Sequence, residues 1–170
     1  MRVRLVIAGV IVVLAVVAAT VAGVRWSTAG EPVSVAAPSG ASTVLPEGAY
    51  EDVVDNRALE VSVDLSNDRG RPMVDTYAMP STTAWEQVRS AVAGQLDGWE
   101  QVGDCADTGE RRVQCSWSEP TRWWPRTVRI VFLRPAPPGG DQSYEWPDNT
   151  FLVVGSAPGA SPTPRTSALR

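Results

Sequence analysis

The chain contains no histidine and no lysine, and all 15 of its basic residues are arginine. Without imidazole there is no Ser-His-Asp triad, no Cys-His pair, no histidine metal ligand and no imidazole general base. Without a lysine amine there is no Schiff base, no Walker-type phosphate lysine and no isopeptide crosslink. Cysteine is nearly absent as well. Cys105 and Cys115 form no CxxC pair and do not follow an apolar run, so redox and lipoprotein readings fall away. What remains for chemistry is carboxylates, Ser, Tyr and Arg, sets too common to locate by spacing. No catalytic residue, metal ligand or cofactor is assigned.

Against these absences stands one long apolar segment. Arg2 and Arg4 precede an uncharged run, residues 5–24, in which Thr20 is the only conventionally polar side chain. Twenty helical residues rise about 30 Å, the thickness of a bilayer's hydrocarbon core, and the two arginines would hold the N-terminus on the cytoplasmic side. The run exceeds the usual secretory h-region of about 7 to 15 residues, which favours an uncleaved single-pass anchor. Small residues nevertheless stand where a peptidase could cut: Thr20 with Ala22, and Ser27 with Ala29 before Gly30. The expected location is the plasma membrane with the C-terminal domain outside the cytoplasm, or secretion if the segment is removed.

Residues 25–170 carry 13 basic against 19 acidic groups, a formal charge of −6. Nucleic acid and anionic lipid headgroups are therefore poor candidate partners. The arginine-only base set, with abundant Ala, Gly and Pro, is the composition of a GC-rich bacterial genome. The organisation expected is an anchor or signal over residues 1–24, a flexible Ala/Ser/Pro/Gly linker over 25–49, one domain over 50–155, and a disordered tail over 156–170.

Within the domain, Leu59, Val61, Val63 and Leu65 alternate with Glu60, Ser62 and Asp64, the period of a half-buried strand. Turn residues 66–72 then lead to a second strand over 73–79 that can pair back on it. Thr83 and Glu86 spell a capping box, Trp85, Val88, Val92 and Leu96 form a helical stripe, and Gly98 is a natural stop. Residues 99–105 and 112–118 read as a hairpin, 127–133 as a more central strand, 134–147 as a long Pro/Gly-rich loop, and 150–155 as a last strand. The fold class that follows is α+β: a mostly antiparallel sheet of about five to six strands with one helix packed on a face.

Cys105 and Cys115, with nine residues between them around a polar turn, should be joined in an exported chain. Opposed residues of an antiparallel hairpin have Cα atoms about 4.5 to 5.5 Å apart, a span a disulfide bridges. Asp107-Thr108-Gly109 spells an aspartic-protease triplet but follows no apolar strand and has no second copy, so it reads as a turn. Asp64, Ser66, Asp68 and Asp75 approximate a calcium-loop count, with the glycine one place late and an Asp at the last position; a solvated turn is the better reading. The acidic group Glu51, Asp52, Asp55 and Glu60 reads as a solvated face.

Seven tryptophans are many for 170 residues. Trp85, Trp99 and Trp117 fit a core, whereas Arg122, Trp123 and Trp124, with Tyr144 and Trp146 in the long loop, are candidate ligand contacts. The functional expectation is a membrane-anchored or secreted, noncatalytic interaction module whose partner is a protein or envelope component. The alternative is a glycan-binding or carboxylate-dependent glycan-cleaving domain that uses Trp123, Trp124 and Trp146.

Overall fold

A computed structural model describes residues 2–46, 51–135 and 149–161. It holds three helices, α1 (Arg2–Ala29), α2 (Glu51–Leu65) and α3 (Trp85–Ala93), and five strands: β1 (Met73–Pro80), β2 (Glu100–Val102), β3 (Arg112–Ser118), β4 (Thr127–Leu133) and β5 (Asn149–Ala157). The strands form one antiparallel sheet in the order β1-β5-β4-β3-β2. The α+β architecture with an antiparallel sheet and an apolar N-terminal helix is thus the fold of the chain.

The sheet is buried on both faces at its centre, and residue parity along β4 shows why. Val128, Ile130 and Phe132 point into one apolar cluster, Val131 and Leu133 into the other. The first cluster is closed by Trp85, Val88, Val92 and Leu96, the stripe expected of the α3 region. The second is closed by Val54, Val61 and Leu65 of α2, which lie over Phe151 and Val153 of β5. A strand flanked by helices on both faces has no wet side, and β5 is accordingly buried from Thr150 to Ala157.

Residues 59–65 are therefore helix, not strand. The apolar residues that matter are Val54, Ala58, Val61 and Leu65, spaced i, i+4, i+7 and i+11 on one helical face. Leu59 and Val63, which complete the alternation, are 62% and 65% exposed on the outer face. Strand β1 consequently pairs with β5, Met73 opposite Ser156 through Pro80 opposite Asn149, and not with its sequence neighbour. Gly155 marks the tightest approach of α2 to the sheet: a Cβ there would lie 2.4 Å from Val61 Cγ1 and 2.7 Å from Leu65 Cδ1.

Three smaller expectations are corrected. No side chain caps α3, whose start is Ala84 in extended conformation, and Glu86 instead accepts hydrogen bonds from Arg89 at 2.7 and 3.0 Å. The helix ends at Ala93, and Gly98, five residues on, supplies the positive φ of 73° that turns the chain into β2. Cys105 and Cys115 are joined, with Cα atoms 4.9 Å apart. Cys105 lies past the end of β2, after Gly103 turns with φ 82°, so the bridge ties a loop to β3 and does not link two opposed strand residues. The Trp85 indole N–H donates to the Cys105 carbonyl at 2.9 Å, fastening that loop to α3.

Residues 33–45, read from composition as tether, lie along the domain. Val35 is buried in the α3-side core, and Val33 N–H donates to Ser156 Oγ at 2.7 Å. Ser42 and Ala78 exchange backbone hydrogen bonds of 2.8 and 2.9 Å, and the Gln95 side chain binds both backbone groups of Ala36. The domain also runs past residue 155: Ser156, Ala157, Pro158 and Gly159 are buried. Low periodicity is what such an edge-following segment shows, because its backbone is satisfied by partners distant in sequence.

Candidate functional site: the junction of helix and domain

Strand directions give the domain two ends. The 67–70 turn before β1, the 119–126 connection of β3 to β4, and residues 158–161 after β5 share one end, and the last turn of α1 meets that end. The 81–84 turn, the disulfide-tied loop 103–111 and both ends of the β4–β5 connection share the other.

Helix α1 contains a segment, Gly9–Ala29, long and apolar enough to cross a membrane, and from Gly9 to Val24 it is exposed except at half-buried Ala22. It continues five residues beyond the apolar run, and those residues dock. Arg25 pairs with Glu119 through both guanidinium nitrogens, and donates to the Trp123 and Trp124 carbonyls at 3.3 Å. Arg126 holds the same carboxylate from the other side, at 3.0 and 2.5 Å, and its backbone N–H adds a contact at 3.2 Å. The Glu119 side chain is 9% exposed. Burial by itself would push its carboxyl pKa up, but the hydrogen bonds from Arg126 and Arg25 outweigh it and hold the group at about 2. A carboxylate so clamped is neither a general acid nor a base near neutrality.

Aromatic contacts surround this ion cluster. Trp26 meets Trp124 edge-on, with centroids 4.7 Å apart, and the Arg69 guanidinium lies 3.9 Å from the centroid of Trp26 while donating to its carbonyl at 2.8 Å. Trp124 adopts φ 53°, a rare conformation for a bulky residue, and its carbonyl packs against Gly159 so closely that a Cβ there would come within 2.1 Å. Gly159 N–H in turn donates to the Ala29 carbonyl at 2.7 Å, satisfying one of the open carbonyls at the end of α1. Asn67 reaches Pro158 at 2.7 Å and Asp68 accepts from Ser161 N–H at 3.1 Å, so the segment after β5 is fixed from two sides.

Among the candidate contacts, Trp123 and Trp124 come together with centroids 5.7 Å apart and ring planes at 69°. They do not form a flat shelf: Trp124 is packed against Trp26, while Trp123 is 60% exposed. Arg122 is exposed beside it, with no ion pair among the described residues. Tyr144 and Trp146 lie outside the described residues. Composition concealed Arg25, Trp26, Arg69, Glu119 and Gly159, the residues that build the junction. The one available signal was Arg25-Trp26 at the end of an apolar helix, the usual place for interfacial aromatic and cationic residues.

The remaining motifs have structural uses. Asp107 Oδ1 accepts from Gly109 N–H at 2.9 Å, with Gly109 at φ 72°, and its other oxygen pairs with Arg134 at 2.5 Å. Those hydrogen bonds, from Arg134 above all, lower the Asp107 pKa. Asp64 pairs with Arg129 at 2.8 Å. Among the described residues no three His, Cys, Asp or Glu side chains gather in a way that could hold a metal ion.

Fold and site together define a class: a disulfide-stapled α+β domain docked on the last turn of an apolar helix. Comparison with protein families, with characterised proteins and with solved structures gives no significant match to this chain.

Proposed function

We propose that the protein is a single-pass, membrane-anchored interaction module, noncatalytic, whose domain stands outside the cytoplasm and binds a protein or envelope component there. The observation that carries this reading is the docking of Arg25, Trp26 and Ala29 onto the domain through Glu119, Trp124 and Gly159. A cleaved signal leaves its carrier, whereas here the last turn of the helix completes an ion cluster, an aromatic contact and a backbone hydrogen bond of the folded domain. Removal after Ala29 would leave Glu119 without Arg25 and Trp124 without Trp26. Arg2 and Arg4 before the apolar run support an outside C-terminus, and the disulfide suits an oxidising compartment.

The test is N-terminal sequencing and protease accessibility in intact cells, with crosslinking in the same preparation. The reading expects an intact N-terminus in the membrane fraction, a domain digested by external protease, and a discrete crosslinked partner. A mature chain beginning at Gly23 or Gly30 in the medium, or a domain protected from external protease, would overturn it.

A further inference from the structure

The sequence Ser27-Thr28-Ala29-Gly30, with small side chains three places and one place before the Ala29–Gly30 bond, suits a peptidase of the signal-processing type, yet the fold closes that bond to it. Ala29 is fully buried. Its carbonyl, the group a peptidase must polarise, accepts the Gly159 N–H at 2.7 Å, and the Gly30 N–H on the other side of the bond donates to the Ser27 carbonyl at 3.1 Å. Such an enzyme reads both small side chains from one side of an extended chain, where residues two apart share a face. In α1 residues 27 and 29 stand about 200° apart around the axis, so the two are not read together. The domain imposes this helical turn. Trp26, Ser27 and Thr28 are weak helix formers and Gly30 and Pro32 follow, while Arg69 and Gly159 satisfy the Trp26 and Ala29 carbonyls at 2.8 and 2.7 Å.

We propose that Ala29–Gly30 is a latent release site: the docked junction masks it, and undocking of α1 presents it to a peptidase, on the outer face of the membrane, that selects small residues and so frees the domain. The inference rests on the membrane-anchored reading above, which places the bond about 7.5 Å beyond Val24 and so just outside the hydrocarbon. Water adds across the amide: the C–N bond breaks, the hydroxyl goes to the Ala29 carbonyl carbon and the proton to the Gly30 nitrogen, leaving a carboxylate and a new amino terminus. The position of the bond fits release. The next hydrogen bond to the sheet runs from Val33 N–H to Ser156 Oγ at 2.7 Å, and Val35 follows in the core. A chain beginning at Gly30 therefore keeps the whole 33–45 segment on the domain and loses only the anchor. Arg126 still holds Glu119 after the cut, so the freed domain retains half of the ion cluster. The other small-residue pair, Thr20 and Ala22, lies inside the apolar run and, on the same reading, out of water.

The experiment is a pulse–chase of the full chain in intact cells of a bacterial host, with N-terminal sequencing of the membrane fraction and of the medium. Wild type should keep its N-terminus and stay in the membrane. Glu119→Gln, which alters no residue near the bond in sequence, should release a fragment beginning at Gly30 about 30-fold faster, since cutting tracks the population of the open form. Arg25→Gln, which leaves Arg126 on Glu119 and every domain residue in place, should release the same fragment about tenfold faster. Ser27 is exposed, so adding Ser27→Leu to either variant should abolish release by spoiling small-residue recognition without touching the junction. Junction variants that stay intact in the membrane, that are cut before Gly23 or within residues 33–45, or whose release survives Ser27→Leu overturn the release site and leave the anchor standing. A wild type found in the medium from Gly30 overturns both. Should Glu119→Gln be degraded outright, Arg25→Gln decides.

Discussion

Replacing Glu119 by Gln tests whether the junction is a structural part of the domain. The carboxylate is held at about 2 against an ordinary 4.5, by two guanidinium groups and a backbone N–H. Its folded-state pKa is depressed, so the stability it contributes is fully present above its unfolded value and is lost as pH falls from about 4.5 through about 2. A difference of about 2.5 units corresponds to roughly 3 kcal/mol. Arg25 and Arg126 keep 26% and 22% of their side-chain surface in water, which brings the expected effect nearer 2 to 3 kcal/mol. For a domain of this size that is a fall of about 10 to 20 °C in Tm at pH 7. The assay is thermal unfolding of wild type and Glu119→Gln in matched detergent from pH 7 to pH 3. The difference between their melting temperatures should be constant above about pH 5 and shrink steadily below it, as the wild type loses what the variant never had. Other carboxylates titrate in both proteins and cancel. A variant that melts within about 2 °C of wild type at pH 7, or a difference independent of pH, would refute the argument that this ion cluster stabilises the fold.

Three further outcomes are expected. Gly155→Ala places a methyl 2.4 Å from Val61 Cγ1 and should lower unfolding free energy by about 1 to 3 kcal/mol in urea titrations, since a β-branched side chain on a packed helix has little room to yield. Replacing Cys105 and Cys115 together by Ser should remove about 2 to 3 kcal/mol by the same measurement, the loop-closure value for a sequence separation of 10. Val61→Asp, at a position 3% exposed, should unfold the domain or reduce stability by more than about 3 kcal/mol, while Leu59→Asp, at one 62% exposed, should change it by less than about 0.5 kcal/mol; circular dichroism melts separate the two, and equal damage would restore the strand assignment.

The contrast between those last two residues shows where the sequence was legible. Strands β3 and β4 and the stripe of α3 were found because each has a single period and its own partners close by. Residues 59–65 misled because a four-residue alternation and a helical stripe share Val61 and Leu65, and the residues that decide between them, Val54 and Ala58, sit among the acidic groups Glu51, Asp52 and Asp55. Helix amphipathicity over 15 residues outweighs alternation over seven, since the helix buries its stripe against β5. The disulfide was legible from spacing, but its geometry was not, because Gly103 takes Cys105 out of register. The junction was nearly invisible. Its contacts join residues separated by about a hundred positions, such as Arg25 with Glu119, and locally only Arg25-Trp26 at the end of the apolar helix hints at them.

Docking changes what kind of partner the domain can meet. A flexible linker over residues 25–49 would give a root-mean-square reach of about 28 Å and no fixed orientation. With Arg25, Trp26 and Ala29 fixed to Glu119, Trp124 and Gly159, the domain, on the membrane-anchored reading proposed above, would instead present one end to the membrane and the other away from it. The end facing away carries the 81–84 turn, the disulfide-tied loop with Asp104, Asp107 and Glu110, and the start of the β4–β5 connection at Arg134. The Cys105–Cys115 bridge, the Trp85 hydrogen bond to Cys105 and the Asp107–Arg134 pair all stiffen that end, where the edge strand β2 stops at Val102. On the same proposed reading, a stiff loop set held at constant height above a bilayer would lose little conformational entropy on binding, and a partner would be sought among components fixed at the same height. Lengthening the 30–33 segment leaves that height unchanged, because the helix end itself is docked, whereas Glu119→Gln releases it. Crosslinking from the distal loops to the partner should therefore survive the insertion and fall in the variant, and the reverse pattern would show that the partner is reached by a tether after all.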